Sequence, residues 1–184
     1  AAVAAQQGAR LRANEVQPHR ADLVRNTLRA ARAEHPEVVH VTVDDGREVG
    51  ATDPARYARV LVDAPCTGLG ALRRRPEARW RKSPDDLEEL TGLQAELLDA
   101  AVAALAPGGV LAYVTCSPHL AETRAQTDAA LARHPGLRTI DTPAVLTRVA
   151  RVPLGLPAAP SAQLWPHRHG TDAMFIQLLT TLEG

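Results

Sequence analysis

Two short apolar runs, each ending in a cysteine-bearing turn, constrain this chain more than any other feature. Val60-Leu61-Val62 leads into Asp63-Ala64-Pro65-Cys66-Thr67-Gly68, and Val110-Leu111-Ala112-Tyr113-Val114 leads into Thr115-Cys116-Ser117-Pro118. Each run reads as a buried strand. Between them Leu87, Leu90, Leu93, Leu97 and Ala101 recur at helical spacing, with Leu98, Val102 and Leu105 beside them. A strand, an amphipathic helix and a second strand form a crossover that lays two parallel strands side by side. The carboxyl ends of such strands make the ligand crevice of an open α/β sheet. The two cysteines of the chain are thereby directed to one place.

The flanking sequence extends this pattern. Residues 1–8 read as a helix closing at Gly8. Arg10 to Glu15 is a short strand with Glu15 at its end. Pro18 opens a helix whose apolar face is Leu23, Val24, Leu28 and Ala31, and which stops near His35-Pro36. Val38 to Val43 is a β-branched strand closed by Asp44-Asp45-Gly46-Arg47. Residues 48–58 read as a loop. Ser83-Pro84-Asp85-Asp86 is a strong helix start, with an N-cap serine, proline next and acids in the first turn. Ala106-Pro107-Gly108-Gly109 ends that helix. A further helix is expected over Leu120–Arg133, strands over Leu137–Ile140 and Ala173–Leu179, and an irregular excursion over 141–163, which holds Pro143, Pro153, Pro157 and Pro160. The alternation predicts an α/β, Rossmann-like fold with a mostly parallel sheet and one antiparallel C-terminal strand.

Composition narrows the function classes. The 184 residues suit one domain with a sizeable core. Arg plus Lys and Asp plus Glu balance at 21 each, so nucleic-acid affinity must come from a local patch or another domain. Two cysteines make no disulfide framework, which points to reduced thiols and a cytoplasmic protein. No apolar run approaches the ~20 residues needed to span a bilayer, so no membrane partner is expected.

Several residues could carry chemistry. Asp63 sits at a strand's carboxyl end, and Pro65 stiffens the turn that holds it beside Cys66. Alone, these residues read equally as a solvated acid and a buried structural thiol. The matching Thr115-Cys116-Ser117 turn shifts the balance toward placed nucleophiles. Arg73, Arg74, Arg75, Arg79, Arg81 and Lys82 surround Trp80, a composition that can grip phosphates and stack a base, or form a solvated loop with the indole turned inward. His167 and His169 lie in a polar segment before the last strand. Two histidines with no cysteine nearby are weak metal ligands, and no metal is expected.

Three stretches, "DAPCTGLGALRRRPEARWR", "LQAELLDAAVAALAPGGVLAYVTCSPHLAET" and "LWPHRHGTDAMF", together resemble the Fmu/Sun (RsmB-like) family of RNA 5-methylcytosine methyltransferases. The resemblance covers nearly the whole chain in the family's order. It implies S-adenosylmethionine (AdoMet) as cofactor and RNA, specifically ribosomal RNA, as substrate. It implies Cys116 as the nucleophile that adds to carbon 6 of cytosine. Cys66 would assist release of methylated RNA, and Asp63 would contact cytosine or AdoMet and help activate the base. Glu15 would accept hydrogen bonds from the AdoMet ribose, as in dinucleotide folds. Asp45 would contact the adenine, with Asp44 as the alternative. The loop containing His167 would lie near the active site, adding His167 to the RNA contacts expected of Arg73–Lys82.

The family's glycine-rich AdoMet loop, Asp-x-Cys-Ala-Ala-Pro-Gly-Gly-Lys at the end of its first strand, has no counterpart in the sequence, nor does its N-terminal RNA-binding region. Residues 1–184 are therefore expected to be a truncated catalytic domain that alone binds AdoMet poorly and has little activity. Three rivals stand beside this reading. An exocyclic-amine methyltransferase needs no thiol and carries an acid-Pro-Pro-aromatic turn, where this chain has Cys66. An oxidoreductase would need a G-x-G-x-x-G opening a helix. A non-catalytic RNA-binding or scaffold domain fits the missing loop but not the retained thiols and Asp63.

Overall fold

The structure, a computed structural model describing residues 2–182, divides into two compact units, Ala1–Glu48 and Val49–Gly184. The first contains α1 (Ala2–Gln6), β1 (Leu11–Asn14), α2 (Pro18–Thr27), α3 (Arg29–Glu34) and β2 (Val39–Thr42). β1 and β2 pair in parallel, with Leu11 opposite Val39 and Asn14 opposite Thr42. Ala5, Leu28 and Val39 form the buried centre, with Leu11, Val24 and Val41 packed on it. The helix expected from Pro18 to His35 is broken at Leu28 (φ −92°, ψ 5°). The Thr27 hydroxyl donates back to the Leu23 carbonyl at 2.9 Å, a competing bond that loosens helices. Leu28 turns inward at the break. Leu23, expected on the buried face, is 64% exposed, and Ala21 takes the inward position.

The second unit holds α4 (Val49–Thr52), β3 (Tyr57–Asp63), α5 (Pro84–Ala104), β4 (Leu105–Thr115), α6 (Arg124–Arg133), β5 (Leu137–Thr139), α7 (Thr142–Val149), β6 (Ser161–Gln163), α8 (Pro166–His169) and β7 (Phe175–Thr181). Its sheet runs β3-β4-β7-β5, with β6 also on β7. β3 and β4 are parallel, and β7 is antiparallel to β4, β5 and β6. Every strand of this sheet but β7 therefore points the same way, as the sequence pattern predicts.

α5 starts where its local chemistry dictates. Ser83 Oγ accepts the Asp86 amide at 3.2 Å, and Asp86 Oδ2 accepts the Ser83 amide at 2.8 Å, a complete capping box. The helix covers the sheet with Leu98 and Ala101. These meet Leu111, Tyr113, Phe175 and Leu179 in one core. Tyr113 and Phe175 pack edge to face at 6.3 Å between centroids.

Two expected loops contain helices. Residues 48–58 include α4, which lies so close to α5 that a Cβ on Gly50 would fall 2.7 Å from the Ala103 Cβ. The 141–163 excursion includes α7 and β6. Asp141 caps α7 by accepting the Ala144 amide at 3.0 Å, and Pro143 sits in its first turn, where proline is favoured. The helix expected from Leu120 is a 3-10 turn (Leu120–Glu122), then α6 after a break at Thr123.

Candidate active site

The β3–α5–β4 crossover brings the two cysteine turns together. Asp63, the last residue of β3, pairs with Val114, and the Ala64 amide donates to the Val114 carbonyl at 2.9 Å, carrying the ladder past the strand's end. Pro65 then turns the chain, and Cys66 Sγ comes to 3.3 Å from Cys116 Sγ. After Cys66 the backbone passes Gly68 (φ 73°) into a 3-10 turn at Leu69–Ala71. There the Gly70 amide donates to the Cys116 carbonyl, and the Ala173 amide donates to the Gly70 carbonyl, both at 2.9 Å. Gly70 thus joins the Cys66 loop, the Cys116 turn and the segment before β7. A side chain would not fit there, since a Cβ would lie 2.1 Å from the Ala173 oxygen.

The thiols are electrostatically unequal. The hydrogen bond from Cys66 holds Cys116 down to about 7, against opposing burial and the charges of Asp63 and Asp172. The same bond, then burial, the Cys116 charge and Glu122, push Cys66 far upward. The pair behaves as one proton shared between two sulfurs, carried by Cys66. The bond favours the thiolate, the nucleophilic form, at Cys116. Asp63 is exposed at the strand end beside it.

A buried carboxylate lies behind the turns. Glu122, 0% exposed, accepts from the Thr67 amide at 2.7 Å and from the Thr67 hydroxyl at 2.5 Å. Gln94 of α5 donates to the Pro65 carbonyl at 2.7 Å and reaches Glu122 at 3.3 Å. Asp172, also buried, accepts from Nε and Nη2 of Arg74, one edge of the guanidinium, with Arg73 at 3.6 Å. Sequence reasoning did not single out Glu122, Thr67, Gln94, Gly70 or Asp172. The tight Gly68-x-Gly70 pair was the nearest signal.

The basic segment divides in two. Arg73 and Arg74 are turned to Asp172, and Lys82 lies 3.8 Å from Asp86. Arg75, Arg79 and Arg81 are exposed around Trp80, itself 83% exposed, so the indole is not an inward-packed anchor. His167 lies against Trp165, at 6.2 Å between ring centroids. His169 is held by Trp165 and by the Leu154 carbonyl.

The acids of the first unit sit at the carboxyl ends of its two parallel strands. Glu15 accepts the Gln17 amide at 3.0 Å on Oε1, while among the described residues Oε2 meets Arg20 at 3.4 Å. That leaves acceptor positions suited to a ribose diol. Asp45 is bound by the Arg47 side chain and amide, which hold its carboxyl at about 2. Asp44 pairs with Arg12 at 2.9 Å. Carboxyl oxygens at these positions are acceptors of the kind that hydroxyl and amino donors require.

Residues 1–180 match the family model described as 16S rRNA methyltransferase RsmB/F. A putative methyltransferase, MT1451 of Mycobacterium tuberculosis (strain CDC 1551 / Oshkosh), is 53% identical over 95% of this chain and 35% of its own length. Ribosomal RNA small subunit methyltransferase B of Yersinia pseudotuberculosis serotype O:1b (strain IP 31758) is 36% identical over 73% of this chain and 29% of its own. The chain thus spans about a third of these curated relatives. Among solved structures, PH0851 superposes with a TM-score of 0.79 at 29% identity, over 92% of this chain and 36% of that one. NSun6 from Pyrococcus horikoshii, solved with SFG, superposes with a TM-score of 0.71 at 21% identity, over 94% of this chain and 41% of that one, a likeness of fold.

Proposed function

The chain belongs to the RsmB/F family of 16S rRNA methyltransferases, and on that premise we propose that it carries the thiol half of an AdoMet-dependent RNA cytosine-5 methyltransferase acting on ribosomal RNA. The observation that carries this reading is the Cys116–Cys66 pair, 3.3 Å apart at two adjacent strand ends. A methyltransferase acting on a nucleophilic nitrogen or oxygen needs no thiol. Carbon 5 of cytosine is a poor nucleophile and does need one. The Cys116 thiolate adds to carbon 6, which makes carbon 5 electron-rich enough to attack a methyl group. Loss of the carbon 5 proton to a base then re-forms the 5,6 double bond and expels the Cys116 thiolate. Cys66, which keeps its proton, is the group beside the departing sulfur. In this reading Asp63, exposed at the end of β3, contacts cytosine or AdoMet and helps activate the base.

AdoMet supplies the methyl group when bound. SFG, the ligand of the NSun6 structure, is an analogue of it. In this chain Glu15 would hold the ribose, and Asp45 or Asp44 the adenine amine. Arg75, Arg79, Arg81 and Trp80 supply exposed charge and a stacking face for RNA. Arg73, Arg74, Lys82 and His167 are the further RNA contacts of this reading, although Arg73 and Arg74 are engaged by Asp172.

The test is direct. A polypeptide extended to the full length of the curated relatives is incubated with ribosomal RNA and labelled AdoMet, and the nucleosides are resolved by mass spectrometry. Label in 5-methylcytidine is expected. Label confined to an N- or O-methylated nucleoside would overturn the reading.

A further inference from the structure

Glu122 is a fully buried acid in the loop that follows Cys116, and the chemistry above gives it no step. Its Oε1 accepts the Thr67 amide at 2.7 Å and Gln94 Nε2 at 3.3 Å, and its Oε2 accepts the Thr67 hydroxyl at 2.5 Å. Gln94 Nε2 also donates to the Pro65 carbonyl at 2.7 Å. The Tyr113 hydroxyl, itself buried, fixes the other side of the loop by donating to the Glu122 carbonyl at 3.0 Å. Cys66 therefore lies between two residues that are both tied down, Pro65 through its carbonyl and Thr67 through its amide and hydroxyl.

The side-chain partners of Glu122 among the described residues are all neutral donors. A buried carboxylate without a cation costs several kcal/mol unless its lone pairs are filled. For packing alone, an apolar residue or a glutamine would be less costly. A carboxylate offers two oxygens that accept only, and here both are aimed at one turn. Its negative charge beside Cys66 also disfavours a second anion there, which leaves the proton on Cys66 and the charge on Cys116.

We infer that Glu122 is a positioning residue for the thiol pair: its buried carboxylate holds the Pro65–Thr67 turn so that Cys66 serves as the hydrogen-bond donor to Cys116. The inference deepens the cytosine-5 reading and rests on it for its purpose. The asymmetry of the thiols is measurable without RNA, so the two can fail separately.

The experiment follows alkylation of Cys116 by iodoacetamide as a function of pH, resolved by peptide mass spectrometry, with each variant's fold checked by circular dichroism. In the wild type the midpoint is expected at about 7. Cys66→Ala should raise it toward the ordinary thiol value of about 8.5. Glu122→Ala should raise it similarly, and adding Glu122→Ala to Cys66→Ala should raise it no further, as expected for residues acting through one contact. Thr67→Val removes only the hydroxyl bond and should raise the midpoint part of the way. It decides the matter if Glu122→Ala does not fold. An unchanged midpoint in folded Glu122→Ala or in Thr67→Val would overturn the inference. An equal rise from Glu122→Ala in the Cys66→Ala background would do the same. Absence of 5-methylcytidine from the full-length enzyme would count against the proposed function and leave this result standing.

Discussion

Replacing Gly70 with alanine puts the backbone junction beneath Cys116 under direct test. The new Cβ would lie 2.1 Å from the Ala173 oxygen and 2.7 Å from the Cys116 oxygen. An ordinary carbon–oxygen contact is about 3.3 Å, so the first carbonyl must retreat by about 1 Å and the second by roughly half that. Both obstacles are backbone, with no flexible end to swing aside. The move breaks or stretches the Gly70–Cys116 and Ala173–Gly70 hydrogen bonds, each worth about 1 kcal/mol net, and adds an overpacking cost of about 1–3 kcal/mol. A loss of about 3–5 kcal/mol is expected in urea denaturation. A nucleophile displaced by this much should slow adduct formation by about a hundredfold. Gly92→Ala is the control. Gly92 lies within α5 with open space around its Cβ position, and the change should stabilise by about 0.5–1 kcal/mol. Gly70→Ala with wild-type stability and a wild-type Cys116 alkylation profile would refute the reasoning.

Three further outcomes follow from the packing and the charges. Leu98→Ala empties a fully buried position between α5 and the sheet, so urea denaturation should show a loss of about 2–5 kcal/mol. Ser83→Ala deletes half of the capping box of α5 and should cost about 1 kcal/mol in the same assay. The Arg74 hydrogen bonds hold the Asp172 carboxyl below its ordinary value despite burial, with Arg73 assisting. A carboxyl depressed on folding stabilises the fold fully above its unfolded value of about 3.9, and that contribution drains away as pH falls through the lower folded value. The stability gap between wild type and Asp172→Asn should therefore narrow in acid, and a gap that is constant with pH would contradict the ion pair.

What the sequence disclosed followed the range of the forces involved. Ser83-Pro84-Asp85-Asp86 fixes the start of α5 within one turn, so it was legible. The meeting of Cys66 and Cys116 was legible because strand, helix and strand leave one parallel arrangement for the ends. Asp141-Thr142-Pro143 also held a helix start, but the prolines downstream pointed to an irregular segment and α7 was missed. The break at Leu28 turned on a Thr27 hydroxyl choosing a backbone acceptor, which periodicity does not register. Glu122 and Asp172 were invisible for a different reason. Each takes its role from a partner far away in sequence, Thr67 for one and Arg74 for the other, and an acid in a polar run carries no mark of burial. The same distance explains Arg73 and Arg74, which read as phosphate contacts and lie against Asp172.

The division of labour between the two thiols is tested most directly by RNA containing 5-fluorocytosine, whose carbon 5 cannot release a proton, so the covalent adduct cannot resolve. With the full-length enzyme and AdoMet, the account predicts a denaturation-resistant protein–RNA complex that forms in the wild type and in Cys66→Ala and is lost in Cys116→Ala. A complex that survives Cys116→Ala and disappears with Cys66→Ala would contradict it.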